Sequence, residues 1–93
     1  MPRSPTNAAI CFHVAGLLRE EREKRVLSLR LLGKKSGLSR QAIGYIEKEV
    51  ESPTLSSLLE ITSALGVNFE KILARARKRA SKETSPPKKR QTV

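Results

Sequence analysis

The chain has no aspartate and no tryptophan, and among its 93 residues stand one cysteine, one histidine and one tyrosine. A lone Cys11 excludes an internal disulfide, and with His13 as the sole imidazole no ligand set for a structural zinc ion can be assembled. The inventory also omits paired general acids and bases, a nucleophile with its base, and a glycine-rich phosphate loop. No catalytic residue, metal site or cofactor is expected, and neither is enzymatic activity; Cys11 and His13 are expected to be structural or surface residues. The absence of disulfide partners fits a reducing cytoplasm.

Aromatic residues make up 3% and hydrophobic residues 38%, enough for one small, mostly aliphatic core. Long apolar runs are missing too. The stretch over residues 8–18 is interrupted by His13, is too short to span a bilayer and leads into charged residues 19–25 without a small-residue cleavage site. It is expected to begin a soluble helix. No membrane partner is expected, because no segment joins a basic face to large apolar anchors.

Positive charge is what the chain has in plenty: 19 Lys and Arg against 9 acids, a formal net charge of +10. Residues 8–74 are nearly balanced, whereas residues 75–93 carry eight basic groups and one acid. A polyanionic partner, nucleic acid, is implied, and +7 of the +10 lies in the C-terminal end, which is expected to add non-specific phosphate affinity or else to be a solubilising end.

Periodicity and capping residues predict five helices. Residues 1–7, with two prolines, read as a flexible arm. Asn7 is placed to cap a first helix over residues 8–25, with Ile10, Val14, Leu17 and Leu18 inward and residues 19–25 solvated apart from Arg22. Val26 and Leu27 should turn the chain into the core. Ser28 caps a second helix that ends at Gly37, and Ser39 caps a third with Ala42, Ile43 and Ile46 as its buried stripe. Arg40, Gln41, Gly44, Tyr45 and Lys48 then fall on the wet side. Pro53 makes residues 49–53 a loop. Thr54 opens a fourth helix with Leu55, Leu58, Leu59, Thr62 and Leu65 inward, closed by Gly66 and Val67. Asn68 opens a fifth, with Phe69, Ile72, Leu73 and Ala76 in register. Residues 80–93 read as a disordered basic tail. The domain is thus expected over residues 8–79, all-α in class.

Residues 28–47 join two short helices through Gly37, with small Gly33 where a second helix can cross closely, which is the pattern of a helix-turn-helix. The opening Leu27-Ser28, the turn Gly37-Leu38-Ser39, the run from Ala42 and Ile43 to Ile46 and Glu47, the Ser-Pro-Thr-Leu at 52–55 and the Ala-Leu-Gly-Val at 64–67 follow in order. Together they resemble the phage repressor and Cro type of helix-turn-helix protein, the XRE family, over about two thirds of the chain. The resemblance implies a five-helix repressor-like domain acting on double-stranded DNA in a bacterial or phage cytoplasm.

By that resemblance the third helix enters the major groove and the second bridges the backbone. Base edges would be read by Arg40, Gln41, Gly44 and Tyr45: an arginine can bond guanine O6 and N7, a glutamine adenine N6 and N7. Gly44 costs the helix about 1 kcal/mol relative to alanine, a cost that suits close approach to DNA. Phosphates would be held near Ser28, Ser39 and Thr54, at helix starts, and by Lys48. The resemblance also implies an ion pair between Arg22 and Glu47 and a homodimer joined through Phe69, Ile72 and Leu73. Leu29 departs from the pattern, standing where relatives place a phosphate-clamping glutamine. Leu31 is apolar where a polar residue is usual, and Glu49 stands where glycine is common.

The function implied is a sequence-specific transcriptional regulator, a repressor or a restriction-modification controller, binding a near-palindromic operator as a homodimer. An antitoxin-type module that binds a toxin and its own operator is the alternative, although residues 82–93 offer one apolar anchor, Val93. No small-molecule ligand is evident.

Overall fold

Thr6, Ser28, Ser39, Thr54 and Asn68 each precede a helix, and the side-chain oxygen of each accepts the backbone N–H three residues on, at 3.0 to 3.2 Å. Each cap satisfies one of the donors that a helix start leaves without a partner. In the computed structural model, which describes residues 6–49 and 53–84, they open α1 (Asn7–Lys24), α2 (Leu29–Ser36), α3 (Arg40–Glu47), α4 (Leu55–Leu65) and α5 (Phe69–Thr84). No strand occurs among the described residues.

Leu17, Leu18, Leu32, Ile43, Ile61 and Ile72 are each at most 2% exposed and form the centre of the core. Burial of each such side chain contributes about 1.5 to 3 kcal/mol. The most extensive pairing is between α1 and α5; α2 packs on both α3 and α4. Ala76 and Ala80, fully buried, let α5 lie close to the rest of the fold.

Several expectations are corrected. Thr6, not Asn7, caps α1, and Asn7 belongs to the helix; the rest of the expected arm, residues 1–5, lies outside the described residues. Val26 is 88% exposed, and Leu27 alone turns inward. The reason is the end of α1: the Leu27 N–H donates to the Arg22 carbonyl and the Val26 N–H to that of Glu23, leaving Val26 at φ +55°. The same pattern closes α4, where the Val67 N–H donates to the Thr62 carbonyl and Gly66 holds φ +74°. Val26 therefore occupies a glycine position.

The inner face of α4 is Leu58, Ile61, Thr62 and Leu65, whereas Leu55 and Leu59 are 62% and 48% exposed. Glu21 was expected in solvent with its charged neighbours but is 5% exposed, because Arg25, Lys24 and, from α5, Arg75 surround its carboxylate. Helix α5 runs to Thr84, five residues beyond the expected boundary at Arg79. Burial of Ala80 and a pair of bonds from Arg79 to Glu20 hold that extra length to α1. The remaining tail, residues 85–93, and loop positions 50–52 lie outside the described residues.

Candidate nucleic-acid interface

The turn between α2 and α3 is set by Gly33 and Gly37. Gly37 adopts φ +81°, and its N–H caps α2 by donating to the Gly33 carbonyl at 2.9 Å. A Cβ on Gly33 would lie 2.8 Å from the Leu38 carbonyl oxygen and 3.4 Å from the Arg40 nitrogen. Only glycine fits there, and its absent side chain brings the start of α3 against α2. Leu38 then packs on the core.

Ile43 and Ile46 anchor α3 at 0% and 5% exposure, which turns Arg40 and Gln41 outward in its first turn. Gly44 and Tyr45 follow one turn on and are half-buried. Gln41 Nε2 donates to Tyr45 Oη at 2.6 Å. A Cβ on Gly44 would meet Leu29 Cδ1 at 3.7 Å, an ordinary contact. Leu29, half-buried against the core, thus braces α3 from α2 through apolar contact. Leu31 is 46% exposed.

Glu47 ends α3, and its carboxylate accepts Arg22 Nε at 2.7 Å and Nη2 at 3.0 Å. Arg22 Nη1 also donates to the Leu27 carbonyl at 2.7 Å. Arg22 thereby ties α1, the chain entering α2 and the end of α3 together. The bonds to Glu47 raise the Arg22 pKa above its ordinary value, against the opposing effect of burial. Glu49 keeps the left-handed conformation of the usual glycine, at φ +61°.

Ser28, Ser39 and Thr54 are exposed, and each spends a lone pair on its cap. The Thr54 hydroxyl also bonds Ser57 Oγ at 3.0 Å. Lys48 is exposed beyond the end of α3. A shallow concavity beside the turn is lined by Arg30, Lys34, Ser39 and Arg40 among others. The three cations make no ion pair among the described residues. Arg30 and Lys34 went unread in the sequence, although their i, i+4 spacing places them on one face of α2. Of the expected interface residues, Ile72 is 2% exposed and belongs to the chain's own core; Phe69 and Leu73 are half-buried.

Two short helices at a glycine turn, the second presenting polar side chains from a buried apolar stripe, define a helix-turn-helix protein. A family model described as helix-turn-helix, HTH_3, matches residues 18–72, more than half of the chain. The chain belongs to this family, that of XRE-type DNA-binding transcription regulators. Among solved structures it is similar to the restriction-modification controller protein C.AhdI from Aeromonas hydrophila. The two are 27% identical, with TM-score 0.63, over 67% of this chain and 94% of that one. It is also similar to the clp gene regulator ClgR from Corynebacterium glutamicum, at 20% identity and TM-score 0.73, over 87% of this chain and 83% of that one. The hypothetical transcription factor NHTF from Neisseria matches at 23% identity and TM-score 0.66, over 78% and 82%. At these identities the last two bear on the fold. No curated protein sequence matches significantly. The family and these neighbours are transcription regulators, not enzymes. Among the described residues no helix is long and apolar enough to cross a membrane.

Proposed function

We propose that the chain binds a near-palindromic operator as a homodimer, with α3 in the major groove, and acts as a repressor or a restriction-modification controller. The observation that carries this reading is the exposure of Arg40 and Gln41 on the first turn of a helix whose other side is locked into the core by Ile43 and Ile46. Arg40 suits a guanine and Gln41 an adenine. Gly44 supports close approach, since its own fold would accept an alanine there. Arg30, Lys34 and Lys48, with the helix starts at Ser28, Ser39 and Thr54, supply phosphate contacts that set register without reading sequence.

Similarity to a restriction-modification controller favours that role over others. In the homodimer two copies of α3 lie one DNA turn apart, about 34 to 36 Å. With Ile72 consumed by the core, Leu55 and Leu59, exposed one turn apart on α4, offer a second copy an apolar face.

Selection from random duplex DNA by the purified full chain, at stated salt, tests the reading. Recovery of two inverted half-sites centred 10 to 10.5 base pairs apart, or a multiple of that, is the expected result. Equal retention of all sequences would overturn it.

A further inference from the structure

Gln41 and Tyr45 lie one helical turn apart on the exposed side of α3, and their side chains bond each other at 2.6 Å with the amide nitrogen toward the hydroxyl. A glutamine amide has a donor end and an acceptor end. Unrestrained, it can turn over and present either end to a given atom. Adenine offers the major groove an N6 donor beside an N7 acceptor, whereas guanine offers acceptors at both O6 and N7. Which base a glutamine prefers therefore depends on what fixes its amide.

We infer that the Tyr45 hydroxyl is a positioning residue that fixes the Gln41 amide for adenine, and does not itself read a base. One Gln41 N–H is committed to Tyr45 Oη. What remains for a base is the other N–H and the carbonyl oxygen, the complement of adenine N7 and N6. The reverse orientation, with the hydroxyl donating to the amide oxygen, would leave two N–H groups outward and favour guanine. A phenol has a single proton. On DNA a phosphate oxygen is the stronger acceptor for it, and a hydroxyl that has given its proton to phosphate can only accept from Gln41. Docking on the backbone thus holds the amide in its adenine-reading orientation, and a phosphate contact acquires a consequence for sequence.

The geometry around the pair suits this role. Arg40, the preceding residue, is exposed and leaves the outer side of the pair open. Leu29 against Gly44 braces the turn from which Tyr45 projects.

This inference rests on the DNA-reading role proposed above, and the experiment separates the two. Random-site selection and competition binding are run with the full-length wild type, Tyr45→Phe, Gln41→Ala and the double variant. At the base pair that loses its preference in Gln41→Ala, the wild type should favour adenine over guanine by about 5- to 150-fold, the range for a good bidentate contact. Tyr45→Phe keeps the ring and removes the hydroxyl. It should cut that preference by about five-fold, the worth of one hydrogen bond, at this base pair alone, with the thermal midpoint unchanged. In the Gln41→Ala background the same change should leave every base preference where it was. Full adenine preference in Tyr45→Phe, with or without a uniform loss of affinity on all sequences, or a wild-type preference for guanine at that pair would overturn this inference alone. A wild type that selects no sequence overturns it together with the DNA-reading role.

Discussion

Arg22 and Glu47, 25 residues apart in the chain, meet through two parallel hydrogen bonds of 2.7 and 3.0 Å, with side chains 14% and 6% exposed. The pair fastens the last residue of α3 to α1, so the angle at which α3 is presented depends on it. Removing one partner strands the other charge away from water. Glu47→Gln should lower the unfolding free energy by about 3 kcal/mol, measured by urea titration. Arg22→Met with Glu47→Leu together should recover much of the loss, since an apolar pair of similar volume needs no desolvation. An unfolding midpoint in Glu47→Gln equal to that of the parent would show the pair to be energetically neutral.

Two glycines of the motif should respond oppositely to the same substitution. At Gly33 an added methyl would sit 2.8 Å from a backbone carbonyl, which cannot swing aside as a side chain could. Gly33→Ala should destabilise the fold by about 1 to 3 kcal/mol, in the range of overpacked cores. At Gly44 the methyl meets a leucine methyl at 3.7 Å, and the helix gains alanine's better propensity. Gly44→Ala should stabilise the isolated protein by up to about 1 kcal/mol while weakening its binding to a selected DNA site. Unimpaired binding would mean that DNA does not come close at Gly44.

Caps and glycine turns could be read from the sequence because they are local: Ser28, Ser39, Thr54 and Asn68 each serve a backbone N–H three residues away. The outward placement of Arg40 and Gln41 followed from the apolar stripe of Ala42, Ile43 and Ile46, and their base-reading role from the family resemblance alone. The face of α4 could not be read this way. Its apolar residues form two overlapping helical stripes, one from Leu55 and one from Leu58, and packing of α2 and α1 selects the second. Burial of Glu21 depends on Arg75, 54 residues distant, and the length of α5 on contacts with α1 that its polar composition does not reveal. Arg30 and Lys34 join the site because Gly33 draws the two helices together.

Glu21 is the charged centre of the α1 and α5 contact. Its bond to Arg25, helped by those to Arg75 and Lys24, outweighs burial and holds its pKa down to about 2 from the ordinary 4.5. A carboxylate depressed in the folded state stabilises the fold fully above about pH 4.5, and that contribution disappears as the pH falls to about 2. After screening of its exposed partners it amounts to about 1 to 2 kcal/mol. Unfolding free energy measured from pH 6 to pH 2 should therefore fall more in the parent than in Glu21→Gln. Parallel curves would remove Glu21 from the acid sensitivity.

Val26 holds a left-handed conformation with its branched side chain 88% exposed, so little packing offsets the strain. That conformation costs a residue with a Cβ about 1 to 2 kcal/mol. Glycine returns about 0.5 to 1 kcal/mol of this through the greater freedom of the unfolded chain. Val26→Gly should stabilise the protein by about 0.5 to 1 kcal/mol, seen as a raised thermal midpoint. A lowered midpoint would mean that the valine side chain makes a contact of its own.

Base reading and phosphate holding should separate by salt dependence. Arg40 stands at the first turn of α3, where a base edge is expected, while Arg30 and Lys34 line the same concavity from α2, which is expected over the backbone. Arg40→Ala should cost about 1 to 3 kcal/mol on a selected site and much less on random duplex, relaxing preference at one base pair. Arg30→Ala and Lys34→Ala should weaken binding to both DNAs alike, each making the plot of log affinity against log salt shallower by about 1. Removal of residues 85–93, which hold Lys88, Lys89 and Arg90, should act in the same sequence-independent way and leave the helices of residues 7–84 intact. Truncation after Arg79 would instead cut into α5 and expose the site of Ala80, so a stability loss there would say nothing about DNA. If Arg40→Ala weakened selected and random DNA equally, with a shallower salt slope, Arg40 would belong with the phosphate contacts, and sequence reading would fall to Gln41.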